Sequence, residues 1–358
     1  MLGGLFLPRF GRMLGRMNSA QPASAADKNA RQAGAVKRPG SVVVTGPTGS
    51  LGRHAVLAMA SRPEWERPFL VLVGRDGARL KEVAAEAEKL GASVETIGAD
   101  FGRLSDVAAA ARRITELVKS GQIPRIDAVI ANAGLSSNDT RRASEDGYEL
   151  TFAVNHLAHA QLIDGLLGVL EAPARIVFLG SNTYHQNLVR KILHVAPAVW
   201  RDPVEMARPA PEATEPSLEA GGIAYSNSKL ALMYYAHELQ RHLPLGVNVI
   251  VFEPGFMPGT GLMRDAGAGA QRVAGWVSKL PGISTADTSG VALATVALDP
   301  RWANARDGAF VLKDHETPIK DFAKDRSREA RLWQATRDLL DAAASPTTEG
   351  TAHADRHP

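Results

Sequence analysis

A short strand, a glycine-rich turn and a helix follow one another directly after Gly40, and this succession constrains the fold more than any other feature of the chain. The β-branched run Ser41–Thr45 predicts a buried strand, and residues 53–61 predict a helix. Glycines in the intervening turn permit a tight bend and let a pyrophosphate approach the backbone at the helix N-terminus. The residues predicted to contact a nucleotide here are Thr45, Gly46, Thr48, Gly49, Ser50, Leu51 and Gly52.

Strand-like and helix-like segments alternate along the rest of the chain. Further strands are predicted at 69–74, 93–98, 126–130, 175–179, 247–252 and 309–312, and helices at 76–90, 103–119, 144–170 and from Tyr225 onward. Strands that alternate with helices pair in parallel, so the sequence predicts an α/β fold of the Rossmann type. We expect a doubly wound parallel sheet of about seven strands with helices on both faces. Its ligand should lie at the carboxyl ends of the strands.

Composition separates one domain, residues 41–344, from two tails. Residues 1–40 and 345–358 are predicted to be disordered. Seven basic residues and one aspartate give the first tail a charge of +6, which leaves −3 for the remainder of a chain whose total is +3. A basic tail on an acidic body does not indicate a nucleic-acid-binding protein. No apolar run reaches the 18 or so residues of a membrane span. We expect a cytoplasmic protein, with a weak interfacial anchor in residues 1–20 as the alternative.

The lack of cysteine excludes several kinds of site. The chain contains none, so disulfides, iron–sulfur clusters, cysteine zinc sites and thiol catalysis are ruled out. His156 and His159 lie three positions apart on a predicted helix, but no third ligand accompanies them. We interpret both as ordinary helix residues and predict no metal.

Arg75 stands one position beyond the predicted second strand. In nucleotide-binding β–α–β units, a carboxylate near this position holds the ribose 2′-hydroxyl of NAD. An arginine suits a 2′-phosphate instead, so NADP(H) is favoured over NAD(H). The adjacent Asp76 keeps NAD(H) open as the alternative.

Tyr225 and Lys229 lie four positions apart at the start of an apolar, helix-forming segment, so they share one helix face. A nearby ammonium favours the phenolate, and we expect Lys229 to lower the pKa of Tyr225 from about 10 toward neutral. Such a pair can donate or accept a proton in acid/base catalysis. The spacing alone also fits a solvated lysine beside a half-buried tyrosine, so the pair needs support from the rest of the chain.

Five features in a fixed order resemble the short-chain dehydrogenase/reductase superfamily, over roughly residues 41–340. They are Thr45-Gly46 with Gly49 and Gly52, Asn132-Ala133-Gly134 after the fourth strand, Asn155 in Phe152-Ala153-Val154-Asn155-His156, Ser181 after the fifth strand, and Tyr225 with Lys229. Pro254-Gly255 after the sixth strand is a further match. The resemblance implies an oxidoreductase that uses a nicotinamide cofactor.

The resemblance also implies roles for individual residues. Tyr225 would give or take the substrate proton, and Lys229 would lower its pKa and hold the nicotinamide ribose. Ser181 would hydrogen-bond the substrate oxygen, with Thr183 as the alternative, and Asn155 would fix a water that links Lys229 to solvent. The remaining cofactor contacts would be Arg75, Asp100, Phe101, Asn132, Ala133, Gly134, Pro254, Gly255 and Thr260.

Within the superfamily, the chain resembles the retinol dehydrogenase and protochlorophyllide reductase side. The long interval between Ser181 and Tyr225, the segment 253–262 and the helix around 330–333 carry this resemblance. Ser50 takes the place of the commoner middle glycine, and this spacing looks like that of sugar epimerases. Protochlorophyllide reductases use a cysteine near the pigment, which this chain lacks. An epimerase or dehydratase and a reductase of carbon–carbon double bonds therefore stay open as alternatives.

Two segments are predicted to overhang the nicotinamide, an insertion at 185–220 and a substrate lid at 262–285. Both follow strand ends and mix apolar residues with proline or glycine, which predicts a short helix and loops that exclude water. Their apolar content favours a bulky hydrophobic substrate. We therefore expect an NADP(H)-dependent enzyme that transfers hydride between the nicotinamide and a carbonyl or alcohol, with homo-oligomer formation left open. A non-catalytic NADP-binding regulator is the alternative from another class.

Overall fold

The computed structural model describes residues 39–75, 77–187, 190–191, 195–257 and 284–345. Some of the predicted features lie outside these residues: the N-terminal extension up to 38, the lid up to 283, Thr260 and the tail from 346 onward.

One open sheet contains all the strands of the described residues. They are β1 Ser41–Thr45, β2 Phe69–Gly74, β3 Val94–Gly98, β4 Ile126–Ala131, β5 Ala174–Leu179, β6 Val247–Glu253, β7 Ala309–Leu312 and β8 His315–Glu316. Their order across the sheet is β3-β2-β1-β4-β5-β6-β7-β8. Neighbouring strands are parallel, except that β7 and β8 pair antiparallel. The predicted Rossmann-type fold is confirmed, and the two-residue β8 adds an eighth strand to the expected seven or so.

The helices lie between and after these strands. They are α1 Ser50–Ala60, α2 Ala78–Lys89, α3 Leu104–Lys119, α4 Leu150–Phe152, α5 Ala158–Leu166, α6 Pro203–Met206, α7 Leu218–His242, α8 Ala286–Leu298 and α9 Arg326–Ala344. A π-helical turn, Ala153–Leu157, joins α4 to α5. Short 3₁₀ turns lie at Glu64–Glu66, Leu167–Val169, Asn182–Tyr184, Pro300–Trp302 and Asp321–Lys324.

Apolar side chains cover both faces of the sheet, which is why the strand sequences are almost continuously hydrophobic. Successive residues of β1 alternate between two apolar layers, Val43 in one and Val42 and Val44 in the other. The layer that contains Val43 also holds side chains of α3, α5, α7 and α9. The layer on the other face holds side chains of α1, α2 and α8. The sheet is therefore doubly wound, as predicted.

The helix predicted over 144–170 is wrong in its extent. Helix formation begins at Leu150, because the Glu149 carboxylate accepts hydrogen bonds from the N–H groups of Thr151 (3.0 Å) and Phe152 (2.7 Å). The π-helical turn then interrupts the α-helical ladder before α5. Such turns insert one extra residue and are frequent at functional sites.

The helix that carries Tyr225 begins earlier than predicted, at Leu218. The Ser217 hydroxyl caps it by accepting a hydrogen bond from the Ala220 N–H (3.3 Å). Residues 218–220 of the predicted insertion therefore belong to α7. A Cβ atom at Gly221 would overlap the Ser137 carbonyl oxygen, so this glycine lets the helix pack directly on the backbone after β4.

The strand order reverses between β1 and β4, and this reversal creates a crevice at the carboxyl ends of the central strands. The loops after β1, β2, β4, β5 and β6 all emerge at that edge. None of the described helices is long and apolar enough to cross a membrane.

Candidate active site

Four hydrogen bonds join the start of the glycine turn after β1 to the end of β4. The Thr45 hydroxyl oxygen accepts hydrogen bonds from the backbone N–H groups of Asn132 and Ala133, both at 2.9 Å. The Asn132 side-chain amide in turn donates to the carbonyl oxygens of Thr45 and Gly46, again at 2.9 Å. The two predicted cofactor-binding motifs therefore form one rigid unit.

Two glycines of this turn are required by close backbone approaches. Gly46 has φ +61°, and a Cβ atom there would lie 2.9 Å from the Ala133 Cα. A Cβ atom at Gly52 would lie 2.5 Å from the Gly46 carbonyl oxygen. The turn is thus built for the tight approach that the sequence predicts.

Helix α1 presents an uncapped N-terminus to this turn. Gly49 is its N-cap residue, no side chain of the described residues caps it, and its first turn carries no acidic group. The first N–H groups of a helix attract anions when no side chain satisfies them. Thr48 and Ser50 are exposed beside them, whereas the Leu51 side chain is buried. The residues present therefore fit the pyrophosphate of a dinucleotide.

The residues predicted to contact the adenosine part of the cofactor differ in the exposure of their side chains. Arg75 is exposed at the end of β2. Asp100 is exposed, and its carboxylate accepts a hydrogen bond from the Gly102 N–H (2.9 Å). The Phe101 side chain is buried in the core against the His159 ring, so only its backbone is open to a cofactor.

Asn155 lies in the π-helical turn and is fully buried. Its side-chain oxygen accepts a hydrogen bond from the Leu135 N–H (2.8 Å), and its amide donates to the Leu135 carbonyl (3.0 Å) and the Ser228 hydroxyl (2.9 Å). Asn155 therefore connects the loop after β4 to α7. Gly134 lies between them, since a Cβ atom there would be 3.1 Å from the Asn155 oxygen and 3.9 Å from the Lys229 ammonium.

Ser181, Tyr225 and Lys229 come together at the carboxyl end of β5. The Ser181 hydroxyl lies close enough to the Tyr225 hydroxyl to lower the pKa of Tyr225. The Lys229 ammonium lies 5.5 Å from the centre of the Tyr225 ring and donates to the Leu179 carbonyl oxygen (2.8 Å). The Thr183 hydroxyl is buried without a hydrogen-bond partner among the described residues. Of the two hydroxyls, Ser181 is the one that acts on the pKa of Tyr225.

The pKa of Tyr225 is shifted in the direction opposite to the prediction. Burial raises the pKa of Tyr225 above its ordinary value of 10, the Glu253 carboxylate raises it further, and the hydrogen bond with Ser181 opposes both. Burial also lowers the pKa of Lys229 to about 8, while Glu253 opposes this shift. In the protein alone, loss of hydration and the Glu253 carboxylate both favour the protonated phenol of Tyr225.

Pro254 and Gly255 follow β6 and are held by the start of α8. The Pro254 carbonyl accepts a hydrogen bond from the Ser289 hydroxyl (2.9 Å). Gly255 has φ +86°, and a Cβ atom there would overlap the Ser284 hydroxyl. Sequence reasoning did not predict α8, which begins where the expected lid ends. Its capping box, formed by Thr285 and Thr288, is the signal that was available.

The insertion is attached to the catalytic helix next to Tyr225. The Asn227 side chain accepts a hydrogen bond from the Val199 N–H (2.8 Å) and donates to the Val199 carbonyl (2.9 Å). The Ser226 hydroxyl donates to the Ala196 carbonyl (2.7 Å). Trp200 packs edge-on against Tyr234 of the same helix. The described part of the insertion therefore packs against α7, and its position over the nicotinamide stays a prediction.

Two site residues were not predicted. Glu253, the last residue of β6, is buried and acts on the charges of Tyr225 and Lys229. Its signal was a carboxylate that directly follows four apolar strand residues, Val249 to Phe252. His159 bridges the Thr45 hydroxyl (3.0 Å) and the Asn155 carbonyl (3.0 Å), which gives this helix residue a structural role in the site.

Comparisons with known proteins relate the chain to a family of dehydrogenases. The family model described as short chain dehydrogenase matches residues 41–195. The chain is 25% identical over 332 residues to the chloroplastic protochlorophyllide reductase of Chlamydomonas reinhardtii, in an alignment that covers 85% of this chain and 78% of that protein. It is 30% identical over 220 residues to retinol dehydrogenase 13 of Homo sapiens, which covers 60% of this chain and 58% of that protein.

A solved structure shows the same fold. It is a short chain dehydrogenase from Burkholderia cenocepacia J2315, solved in complex with NADP, with a TM-score of 0.55 and 20% identity. The superposition covers 77% of this chain and 96% of that one. The ordered motifs, the family match and the named dehydrogenase and reductase relatives lead to one conclusion. These findings support an enzyme of the short-chain dehydrogenase/reductase superfamily that is similar to retinol dehydrogenases and protochlorophyllide reductases.

Proposed function

We propose that this enzyme transfers hydride between NADP(H) and a carbonyl or alcohol group of a bulky hydrophobic small molecule. The observation that carries the proposal is the convergence of Ser181, Tyr225 and Lys229. The Ser181 hydroxyl lies close enough to Tyr225 to lower its pKa, and the Lys229 ammonium lies 5.5 Å from the centre of the phenol ring. These residues meet at the carboxyl end of β5, at the sheet edge where the glycine turn fits a dinucleotide.

The bound cofactor supplies or accepts the hydride, and the side chains of this chain handle the proton. In the reduction, Tyr225 gives its hydroxyl proton to the substrate oxygen; in the oxidation, it takes that proton away. Ser181 donates a hydrogen bond to the same oxygen, where negative charge develops. Lys229 holds positive charge beside the phenol ring, and Asn155 fixes the loop after β4 against α7.

The preference for NADP(H) rests on Arg75, whose exposed side chain at the end of β2 suits a 2′-phosphate. We expect Arg75→Ala to raise the KM for NADPH about 10–100-fold, because a charge-assisted hydrogen bond to phosphate contributes about 1.5–3 kcal/mol. The KM for NADH should stay within about twofold. Arg112→Ala, an exposed arginine of α3, is the matched control. Equal losses with NADH and NADPH would refute the assignment.

The substrate class rests on apolar side chains that border the site. Val199, whose backbone is hydrogen-bonded to Asn227 of α7, is 50% exposed, and Phe256, directly after Gly255, is 49% exposed. Exposed apolar residues at a site favour an apolar ligand. We expect Phe256→Ser to lower kcat/KM for a bulky ketone or aldehyde by about tenfold but to spare a small aldehyde. Leu245→Ser, at a 91% exposed leucine before β6, is the control.

Reduction of a carbon–carbon double bond is a second candidate. The relative from Chlamydomonas reinhardtii, whose alignment covers 85% of this chain, is named a protochlorophyllide reductase. One panel tests both candidates: NADPH oxidation with retinoid, steroid, quinone, aldehyde and tetrapyrrole compounds, followed by product analysis. An alcohol product supports the first candidate, and a saturated carbon–carbon bond supports the second. Turnover without net consumption of NADPH would instead indicate an epimerase or dehydratase.

A further inference from the structure

His159 is a buried histidine whose two ring nitrogens contact two different parts of the site. The residue is 1% exposed and lies in the first turn of α5. Its Nε2 atom lies 3.0 Å from the Thr45 hydroxyl, and its Nδ1 atom lies 3.0 Å from the Asn155 carbonyl oxygen. The Phe101 ring packs against the imidazole at a centroid distance of 5.3 Å. The imidazole is therefore held in one place between the end of β1 and the π-helical turn.

The chemistry of these two contacts assigns the ring proton of His159 to Nδ1. A carbonyl oxygen can only accept a hydrogen bond, so Nδ1 donates to Asn155. Burial lowers the pKa of His159 to about 4, against the hydrogen bond to Asn155, so the ring is neutral at pH 7. In a neutral ring that is protonated on Nδ1, the Nε2 atom is an acceptor. The Thr45 hydroxyl therefore donates its hydrogen to His159.

The Thr45 hydroxyl uses its full hydrogen-bonding capacity in this arrangement. Its oxygen accepts from the N–H groups of Asn132 and Ala133, both at 2.9 Å. Its hydrogen has two acceptors within reach, the Nε2 of His159 at 3.0 Å and the Ile130 carbonyl at 3.4 Å, and the shorter contact is to His159. A hydroxyl has one hydrogen and two lone pairs. The imidazole thus turns both lone pairs toward the two N–H groups that join the glycine turn to β4.

From the other side of the ring, hydrogen bonds continue to the backbone of Tyr225. The Asn155 side-chain amide donates to the Ser228 hydroxyl (2.9 Å), and that hydroxyl donates to the Tyr225 carbonyl (2.7 Å). Asn155 and Ser228 are both fully buried, so water does not compete for these bonds. Fully satisfied buried networks of this kind rigidify a core. One buried chain of hydrogen bonds therefore runs from Thr45 through His159, Asn155 and Ser228 to Tyr225.

His156 shows that a buried histidine on this turn does not by itself make such a connection. It lies three positions earlier and is fully buried. Its Nε2 atom lies 2.7 Å from the Thr336 hydroxyl of α9, and its Nδ1 atom has no hydrogen-bond partner among the described residues. His156 therefore contacts the C-terminal helix, whereas His159 contacts the site.

We propose that His159 is a positioning residue that ties the glycine turn at Thr45 to the helix that carries Tyr225. The inference rests on the proposed function, to which it adds a residue that acts through its neighbours. Each side of the ring has its own effect. Loss of the contact with Thr45 should weaken NADPH binding, and loss of the contact with Asn155 should displace Tyr225 and lower kcat.

Two substitutions separate the two sides of the ring. In His159→Asn an amide nitrogen takes the place of Nδ1, and in His159→Gln an amide oxygen takes the place of Nε2. We expect His159→Asn to raise the NADPH Kd about fivefold with kcat within about twofold, and His159→Gln to lower kcat about tenfold with the Kd within about twofold, the size of one hydrogen bond. His156→Asn is the matched control and should keep both constants within about twofold. Equal effects of the two His159 variants, or similar effects of His156→Asn, would overturn the proposal.

A double variant tests whether His159 acts through Ser228. We expect Ser228→Ala to lower kcat about tenfold, because it breaks the same chain of hydrogen bonds. The combination of His159→Gln with Ser228→Ala should then also lower kcat about tenfold, since the connection is lost only once. A loss of about 100-fold in the double variant would mean that the two residues act independently, which would contradict the proposal.

The ring proton of His159 is measured on the parent protein, without turnover and without a variant that has to fold. Nitrogen NMR shifts of the histidine-labelled protein distinguish the two ring nitrogens. We expect a neutral ring with its proton on Nδ1 at pH 7, and a proton on Nε2 or a charged ring would overturn the proposal. A chain without NADPH-dependent turnover would refute the proposed function, whereas the NADPH Kd of His159→Asn and the position of the ring proton would still decide the role of His159.

Discussion

Replacing Thr45 by valine should loosen the link between the glycine turn and β4. The substitution preserves shape and removes a hydroxyl that accepts hydrogen bonds from the N–H groups of Asn132 and Ala133. Thr45 is fully buried, so water cannot take the place of the hydroxyl without rearrangement. Each buried donor that loses its partner costs about 1–3 kcal/mol. Two donors lose their partner here, but both residues are half-buried, which reduces the cost. We therefore expect the free energy of unfolding to fall by about 2–4 kcal/mol.

Urea denaturation of the parent and Thr45→Val measures this loss, and titration with NADPH measures its effect on the site. We expect the Kd for NADPH to rise about tenfold, because the turn and the Asn132 loop would no longer be held together. Thr295→Val is the matched control: that hydroxyl only donates to the Val291 carbonyl within α8, so its loss leaves no donor unpaired. A change below about 0.5 kcal/mol for Thr45→Val would show that the hydroxyl does not hold the two loops.

The other predictions concern charge inside the core and the site. Lys229→Met should lower kcat/KM about 100-fold, whereas Lys119→Met, an exposed lysine of α3, should not; a Lys229 variant within threefold of the parent would remove Lys229 from the mechanism. Burial lowers the pKa of His156 to about 3 and that of His159 to about 4, below the ordinary 6.5. Both histidines therefore contribute stability above pH 6.5 that is lost as the pH falls. Urea titrations should show about 2 kcal/mol of loss per histidine between pH 7 and pH 5, and a curve that is flat over this range would contradict these shifts.

The sheet and the ordered motifs could be predicted because they depend on local sequence. Most strands are short apolar runs. Asn132 and Pro254 each follow a strand end directly, and Ser181 lies one residue further, after Gly180. The Rossmann-type fold then brings these strand ends to one edge. That Ser181 lies near Tyr225 and Lys229 was implied by the resemblance to the short-chain dehydrogenase/reductase superfamily.

The features that were missed depend on tertiary contacts. Gly221 and Gly222 look like loop residues in sequence, but in the structure they let α7 pack closely on the backbone after β4 and on Ala196. The π-helical turn around Asn155 has no sequence signature of its own. The pKa of Tyr225 depends on burial and on Glu253, which is 28 positions away in the chain and adjacent only after β6 forms beside β5. The effects of burial and of Glu253 on the pKa of Tyr225 cannot be derived from the spacing of tyrosine and lysine in the sequence.

The central claim is that Tyr225 transfers the proton in an NADPH-dependent reduction. The most direct measurement compares the parent and Tyr225→Phe for NADPH binding and for NADPH oxidation with the best substrate of the panel. We predict an NADPH Kd within about threefold of the parent and a loss of at least about 100-fold in kcat, because phenylalanine keeps the ring and removes the proton donor. A Tyr225→Phe enzyme that retains the activity of the parent would contradict the account.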